Sequence, residues 1–288
     1  MVGKSNPSVL SESSLVVNCS ILMQDRSLAE RLTAVAATGI GAVEFWWPFT
    51  TATPSDAEVE RFIDLIRDSG LRLVGMNLFA GDLAAGDRGT LSWPGREAEF
   101  LASAEVSRRI GEALGVRRFT ALYGNRIEGV DPGEQDALAA ENVRRIAPIL
   151  EPIDGIILFE PVSGVPAYPL KTADETAAAI DRVREDSGVD RLGMLFDLYH
   201  LASNGDDVPA AIRAHGRRAV HLQVADSPGR GAPGTGKLPL IEWVQDLRAL
   251  GYRGAVAFEY VSTAPDPFAG LDIERWAALA GSGVGSAD

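Results

Sequence analysis

The alternation of short apolar runs with longer segments of helical periodicity is the feature that most constrains the fold of this chain. Eight runs rich in apolar and β-branched residues predict strands at 15–21, 41–46, 71–77, 117–123, 155–160, 191–197, 218–224 and 254–260. A segment with helical spacing follows each run, as in the stretch DAEVERFIDLIRDS. Several of these segments end at a glycine, as in DSGLRL and ALGVRR, where a left-handed turn can end a helix. Repeated βα units of this kind are typical of a parallel sheet.

Eight strands and eight helices in strict alternation predict an α/β chain that folds as a (β/α)8 TIM barrel with a single domain. We expect the barrel to span 14–280, with flexible tails at 1–13 and 281–288. The alternative is an open doubly wound sheet. That fold usually has a glycine-rich phosphate-binding turn after its first strand, and the stretch NCSILMQDRS is not such a turn.

The charge of the chain indicates which class of partner it has. It carries 27 Lys and Arg against 40 Asp and Glu, a net charge of -13. An acidic surface releases no counterions from nucleic acid or from an anionic membrane, so we expect a small-molecule ligand instead of either. The single cysteine, Cys19, excludes an intrachain disulfide. Since the chain has neither a membrane-spanning apolar run nor a signal peptide, it is predicted to be cytoplasmic, and a homo-oligomer is compatible with this prediction.

Polar side chains stand at the ends of the last four predicted strands. Catalytic groups in a (β/α)8 barrel come from the C-terminal ends of strands, so these side chains are expected to meet at one mouth. One strand-end carboxylate alone is more often a helix N-cap, but four polar ends on consecutive strands argue against that interpretation of the set. Crowded carboxylates repel one another, and Mg²⁺ or Mn²⁺ would relieve the repulsion. The predicted metal ligands are Glu160, Asp197, Gln223 and Glu259.

Five further polar residues are candidates for contact with a substrate: Glu44, Arg96, His200, His221 and Arg230. His200 is expected in the loop after strand six, where it could hydrogen-bond a substrate oxygen or simply cap the turn. His221 is either a substrate contact or a packed core imidazole. Glu44, at the end of strand two, is either an inward candidate or the structural partner of an arginine. Arg96 and Arg230 are the cations nearest the predicted mouth, and either could hold a substrate carboxylate.

Seven stretches, in order from residue 15 to about 280, resemble the hydroxypyruvate isomerase family of the xylose isomerase-like TIM barrels. They are NCSILM, GIGAVEFWWPF, NLFAGDLAAGDRGTLSWPGREAEF, FEPVSG, FDLYH, HLQVADSPGR and YRGAVAFEY. The loop that ends in PGRE is the most specific of these. The resemblance implies that Glu160, Asp197, Gln223 and Glu259 bind a divalent metal ion. It also implies that the two glutamates act as acid and base. The 2-oxo-tetronate isomerases share these motifs.

One position departs from the family pattern. After strand seven the family usually has a Gly-Glu-Ile-type stretch, whereas this chain reads GTGKLPL, with Lys237 in place of the acid. The change leaves the ligand set intact and bears on the identity of the substrate.

The expected function is that of a metal-dependent aldose–ketose isomerase. Its substrate would be a small hydroxy-oxo acid, in a reaction of the hydroxypyruvate to tartronate semialdehyde type through an enediolate. The alternatives are a 2-oxo-tetronate isomerase, a sugar epimerase or inosose dehydratase on the same barrel, and a catalytically silent sugar-acid binding protein.

Overall fold

Eight parallel strands close into a barrel in the computed structural model, which describes residues 15–281. The strands are β1 Leu15–Asn18, β2 Ala42–Phe45, β3 Arg72–Asn77, β4 Arg118–Thr120, β5 Ile156–Phe159, β6 Leu192–Asp197, β7 Ala219–Val224 and β8 Val256–Phe258. Each strand pairs with the next in the chain, and β8 pairs with β1. The predicted TIM barrel is therefore confirmed, with strands that lie inside the predicted ranges.

The part of the chain that the structure describes contains nine α-helices. They are α1 Leu28–Ala37, α2 Asp56–Ser69, α3 Glu97–Leu114, α4 Pro132–Leu150, α5 Ala173–Ser187, α6 Leu198–Ser203, α7 Val208–His215, α8 Leu240–Ala249 and α9 Ile273–Gly281. The prediction of strict alternation is wrong at one point, because both α6 and α7 separate β6 from β7. His200 accordingly lies in a helix and not in the predicted loop.

The predicted tails fall almost entirely outside the described residues. Residues 1–14 and 282–288 are not described, and Gly281 is the last residue of α9, so the helix extends one residue into the predicted tail. Between 15 and 281, no helix is long and apolar enough to cross a membrane.

Local sequence signals fix where the helices begin and end. Ser27, Ser55 and Thr172 each cap a helix through a capping box with the glutamate three residues later. Gly70 and Gly188 end α2 and α5 in the left-handed conformation, which a glycine adopts without a Cβ penalty. These signals set the length of each βα unit.

The barrel interior changes from apolar to polar along its strands. Val16, Ala42, Val74 and Ala257 form a small buried cluster that is separate from the larger helix-facing core. Side chains two residues apart on a strand point to the same side of the sheet. Asn18, Glu44 and Glu259 each follow a member of this cluster by two positions, so they point to the same side as that member. The polar groups of the interior on these strands therefore stand toward the C-terminal ends.

Candidate active site

The C-terminal rim of the barrel brings the four predicted metal ligands into one buried cluster. Glu160 and Glu259 follow β5 and β8 directly, Asp197 ends β6, and Gln223 is the penultimate residue of β7. Each of the four is at most 8% exposed. Because parallel strands all end at the same rim, chain segments far apart in sequence supply one site.

Arg230, in the loop after β7, contacts two of the carboxylates in this cluster. Its Nη2 donates to Oε1 of Glu259 at 2.7 Å and lies 3.6 Å from Oδ2 of Asp197. Its Nε donates to the backbone carbonyl of Glu259 at 3.2 Å. The guanidinium also stands 5.3 Å from the centre of the Tyr199 ring. Arg230 therefore brings a positive charge into a group of buried acids.

Asp226 organises the loop that carries Arg230. Its Oδ1 accepts from the backbone N–H groups of Ser227 at 2.8 Å and Leu238 at 3.0 Å. Its Oδ2 accepts from the N–H of Gly234 at 2.9 Å. Within the same loop, Arg230 has a φ of 56°, in the left-handed region. The sequence analysis missed Asp226, although an aspartate before Ser-Pro-Gly is a turn signal.

Asp197 uses its two carboxylate oxygens for different purposes. Oδ1 accepts from the backbone N–H groups of Tyr199 at 2.8 Å and His200 at 3.0 Å, so it caps the N-terminus of α6. Oδ2 lies near Arg230 and 3.7 Å from Nε2 of His200. The N-cap role and a role in the site are therefore both open to the same residue, one through each oxygen.

His200 is buried beside Asp197 and is held by Ser163. Its Nδ1 accepts from the backbone N–H of Ser163 at 2.9 Å, and the Ser163 hydroxyl lies 2.7 Å from the same nitrogen. Burial lowers the pKa of His200 to about 4, Asp197 opposes this, and Arg230 and Arg88 add to it. The ring is therefore neutral at pH 7, and its proton is on Nε2, because Nδ1 is the acceptor. The sequence analysis did not single out Ser163, which lies in the quoted stretch FEPVSG.

Glu44 and His221 support Gln223 from within the barrel. Oε1 of Glu44 accepts from Nε2 of Gln223 at 2.6 Å and from Nδ2 of Asn18 at 3.1 Å, and its Oε2 lies 2.5 Å from Nε2 of His221. Burial acts to raise the pKa of Glu44, but the charge and hydrogen bond of His221, with the bonds from Gln223 and Asn18, hold it below the usual range. Since protein donors occupy both oxygens, Glu44 and His221 are better placed to position Gln223 than to contact a substrate.

The amide oxygen of Gln223 has no hydrogen-bond partner among residues 15–281, although it is buried. The Nε2 bond to Glu44 fixes the orientation of the amide. Buried polar atoms in proteins nearly always have a partner, so an oriented, unpartnered acceptor is a place where a bound ion or ligand would complete the contacts.

Glu160 and Glu259 belong to the same cluster but are held differently. Oε1 of Glu259 accepts from Nε1 of Trp46 at 3.0 Å as well as from Arg230. The carboxylate of Glu160 has no hydrogen-bond partner in the described range. Burial raises the pKa of Glu259 to about 8, with Arg230 opposing and Asp197 adding. Burial, Glu259 and Asp197 raise the pKa of Glu160 well above its usual range.

Arg96 and Lys237 make no polar contact with the four clustered residues. Arg96 pairs with Glu99 and lies 3.6 Å from Asp87, and its guanidinium stands 5.7 Å from the centre of the Trp93 ring. The side chain of Lys237 is exposed and has no polar partner within residues 15–281. Arg96 is therefore engaged with its own loop in this structure.

The chemistry of the clustered residues suits a hard divalent cation. Three carboxylates and one unpartnered amide oxygen are the ligand types that Mg²⁺ and Mn²⁺ prefer. In the described part of the chain, no three His, Cys, Asp or Glu side chains are close enough together to enclose an ion, and Arg230 lies between Glu259 and Asp197. An ion held by these donors would therefore compete with Arg230 for the same carboxylates.

Comparison with known sequences identifies similar proteins over most of the chain. The family described as the xylose isomerase-like TIM barrel matches residues 32–278. A Streptomyces coelicolor protein with a provisional hydroxypyruvate isomerase name is 45% identical over 248 residues, 85% of this chain and 89% of the relative. The Escherichia coli hydroxypyruvate isomerase is 30% identical over 245 residues, 84% of this chain and 91% of the relative. The Cupriavidus necator 2-oxo-tetronate isomerase is 29% identical and covers 84% of this chain and 90% of the relative.

Solved structures show the same barrel. A Brucella melitensis structure described as an AP endonuclease of family 2 aligns with a TM-score of 0.79 and 28% identity, over 89% of this chain and 97% of that one. The Clostridium cellulolyticum H10 D-psicose 3-epimerase with D-tagatose aligns with a TM-score of 0.69 and 21% identity, over 94% and 96% of the two chains. At 21% identity, the similarity to the D-psicose 3-epimerase shows a shared fold and carries no information about function.

Proposed function

This chain belongs to the xylose isomerase-like TIM barrel family and, within it, to the hydroxypyruvate isomerases, and on that premise we propose the reaction that it catalyses. The resemblance of its motifs to this family is confirmed, and the chain is an isomerase. The proposed reaction is the metal-dependent interconversion of the aldehyde and ketone forms of a small hydroxy-oxo acid. The buried cluster of Glu160, Asp197, Gln223 and Glu259 is the observation that carries the proposal.

The metal ion would be Mg²⁺ or Mn²⁺, held by Glu160, Asp197, Gln223 and Glu259. The unpartnered amide oxygen of Gln223 and the mutual repulsion of Glu160, Glu259 and Asp197 support this ligand set, and the described carboxylates would have to move closer together to enclose the ion. When bound, the ion would supply Lewis-acid polarisation of the substrate's carbonyl and hydroxyl oxygens, which lowers the pKa of the neighbouring C–H group.

Glu160 and Glu259 would carry the proton. Isomerisation removes a proton from the carbon that bears the hydroxyl group and delivers one to the adjacent carbonyl carbon, through an enediol, while the hydroxyl oxygen loses its proton and the former carbonyl oxygen gains one. One ionised carboxylate accepts the first proton, and a protonated carboxylic acid supplies the second. The two residues exchange roles when the reaction runs in reverse. The Glu160 carboxylate has no hydrogen-bond partner among residues 15–281 and can follow the substrate, whereas Trp46 and Arg230 orient Glu259.

His200 and Arg230 would orient the substrate. The neutral imidazole of His200 has Nε2–H available to donate to a substrate oxygen, because Ser163 already occupies Nδ1. The guanidinium of Arg230 lies inside the cluster and suits the planar carboxylate of an oxo acid. In this account Glu44 and His221 hold Gln223, and Arg96 holds the loop before α3.

A 2-oxo-tetronate is the second candidate substrate. The Cupriavidus necator relative supports it at 29% identity. The likeness to a D-psicose 3-epimerase extends to the fold alone, so it does not favour an epimerase. Because the chain belongs to a family of isomerases, the alternative function of a catalytically silent sugar-acid binding protein is disfavoured. An endonuclease is disfavoured by the charge of -13 and by a total of three histidines, too few for a site with several histidine-bound metal ions.

The experiment is a substrate panel on protein stripped with a chelator and reloaded with Mg²⁺ or Mn²⁺. Hydroxypyruvate, a 2-oxo-tetronate and a ketohexose are each assayed with and without the ion. We expect metal-dependent conversion of a hydroxy-oxo acid and none of the ketohexose. Epimerisation of the ketohexose without any conversion of the acids would overturn the proposal, as would equal rates with and without the metal.

A further inference from the structure

The N-terminal end of the barrel, opposite the active site, carries a pocket rich in arginine. The pocket has a volume of about 430 Å³ and is formed at the beginnings of β4, β7 and β8. Arg118, Arg217 and Arg253 line it. Tyr252 also lines it, and the guanidinium of Arg248 lies 5.1 Å from the centre of the Tyr252 ring. Four cationic side chains therefore gather at one end of an acidic protein.

These four arginines have no carboxylate within 4 Å in the portion of the chain from 15 to 281, whereas the arginines next in sequence to two of them do. Arg117, next to Arg118, lies 3.6 Å from Asp154. Arg218, next to Arg217, lies 2.9 Å from Asp181. Carboxylates therefore pair with the two arginines just outside the pocket, whereas none of the described carboxylates pairs with the arginines that line it.

Several donors of these arginines are also buried without a hydrogen-bond partner in the described residues. They are Nε of Arg118 and both Nε and Nη2 of Arg248. The hydrogen bonds that these arginines make within residues 15–281 go to backbone carbonyls: Nη1 of Arg248 donates to Tyr252, and Nη1 of Arg253 donates to Arg248 and Tyr252. Burial, together with the like charge of Arg253, lowers the pKa of Arg248. Buried cationic groups without partners are costly, and an anion in the adjacent pocket would offset their charge.

We propose that this pocket binds a phosphate group, either as free phosphate or as part of a small phosphorylated metabolite. Guanidinium groups match phosphate oxygens through paired N–H donors, and three arginines, Arg118, Arg217 and Arg253, line this pocket with Arg248 behind Tyr252. The volume of about 430 Å³ lies within the range of small-molecule sites. The net charge of -13 disfavours a polyanion such as nucleic acid, so the ligand is small.

The site is separate from the substrate site and does not depend on the proposed isomerisation. Arg118 also lines the small interior cavity that is bordered by Glu44, His221 and Gln223. Arg118 therefore borders both the arginine pocket and the cavity beside the residues that support the active site.

Calorimetric titration of the full chain with inorganic phosphate and with 3-phosphoglycerate tests the proposal, in a phosphate-free buffer of low ionic strength. We expect saturable binding of one equivalent. Tighter binding of 3-phosphoglycerate identifies a phosphorylated metabolite as the ligand, and equal binding identifies free phosphate. Arg217→Gln, at an exposed position without polar contacts among the described residues, should weaken binding about tenfold. Arg253→Gln should act likewise.

Two control variants separate this pocket from other cationic surfaces. Arg61→Gln changes an exposed arginine of α2 that lies outside the pocket, and Arg230→Gln changes the active-site arginine. Both should bind phosphate as the wild type does, with thermal unfolding confirming that every variant is folded. The absence of saturable binding would overturn the proposal. Binding lost in Arg230→Gln and kept in Arg217→Gln would also overturn it, since the anion would then occupy the active site.

Discussion

Gln223 donates its side-chain amide to Glu44 across the barrel interior, with 2.6 Å between Nε2 and Oε1. The two residues lie on β7 and β2, which are not neighbours in the barrel, so the bond spans the interior and not a strand pair. Because this bond uses the amide nitrogen, the amide oxygen of Gln223 is the atom that remains available to a ligand. Partners that orient a ligating side chain in this way strongly affect metal affinity.

Replacement of Glu44 by Gln should therefore weaken metal binding without touching a ligand. The glutamine side chain replaces one acceptor oxygen by an NH2 group, which then faces a donor of Gln223, Asn18 or His221. Two donors that face each other lower the free energy of unfolding by about 1–3 kcal/mol. We expect Mn²⁺ affinity to fall roughly 10–100-fold. Denaturant unfolding and calorimetry measure the two effects. A folded variant with wild-type Mn²⁺ affinity would show that Glu44 does not position Gln223.

Asp197→Asn and Asp197→Ala should separate the two uses of this carboxylate. Asparagine keeps an oxygen that can cap α6 but loses the charge, whereas alanine loses both. We expect Asp197→Ala to abolish Mn²⁺ binding and Asp197→Asn to weaken it. Asp197→Ala should also be about 1 kcal/mol less stable than Asp197→Asn. If calorimetry finds unchanged metal affinity in Asp197→Asn, the assignment of this residue as a ligand is wrong.

Lys237→Glu restores the acid that the family usually has at this position. Because the Lys237 side chain is exposed and has no polar partner among the described residues, we expect kcat/KM to change by about twofold or less. The ratio of kcat/KM for hydroxypyruvate and for a 2-oxo-tetronate is the measurement. A tenfold change in that ratio would mean that this position selects the substrate.

Glu160→Gln and Glu259→Gln should each lower turnover about 10²-fold or more, because glutamine keeps an oxygen ligand but cannot accept a proton. Both residues serve one proton transfer, so the double variant should be little slower than the slower single variant. Circular dichroism checks the fold. Near-normal kcat with a raised KM in both single variants would show that the two glutamates only bind the substrate.

The sequence was sufficient to predict the barrel, because each βα unit carries its own local signals. The ends of α2, for example, follow from the capping serine Ser55 and from Gly70. The helix α6 was missed because its six residues are too few to show a helical period. In hindsight its signal is Asp197, a good N-cap residue, followed by Leu198 and Leu201 three positions apart.

The active site was less predictable than the fold. Parallel strands align their ends, so strand-end residues such as Glu160 and Gln223 could be grouped from the sequence. The partners of Glu44 could not be predicted, because they depend on the register of strands on opposite sides of the barrel. The contact of Arg230 with Glu259 depends on the conformation of the loop after β7, and the turn signal at Asp226 does not by itself specify that conformation.

Metal-dependent proton transfer to and from a substrate carbon is tested most directly by solvent exchange. Hydroxypyruvate is incubated in heavy water with stripped protein, with Mg²⁺-loaded or Mn²⁺-loaded protein, and with the equally loaded Glu160→Gln variant, and NMR follows deuterium at carbon. We expect deuterium incorporation to accompany conversion, to disappear with the metal, and to fall about 10²-fold in the variant. Conversion without deuterium incorporation, or incorporation that needs neither metal nor Glu160, would contradict proton transfer by these carboxylates.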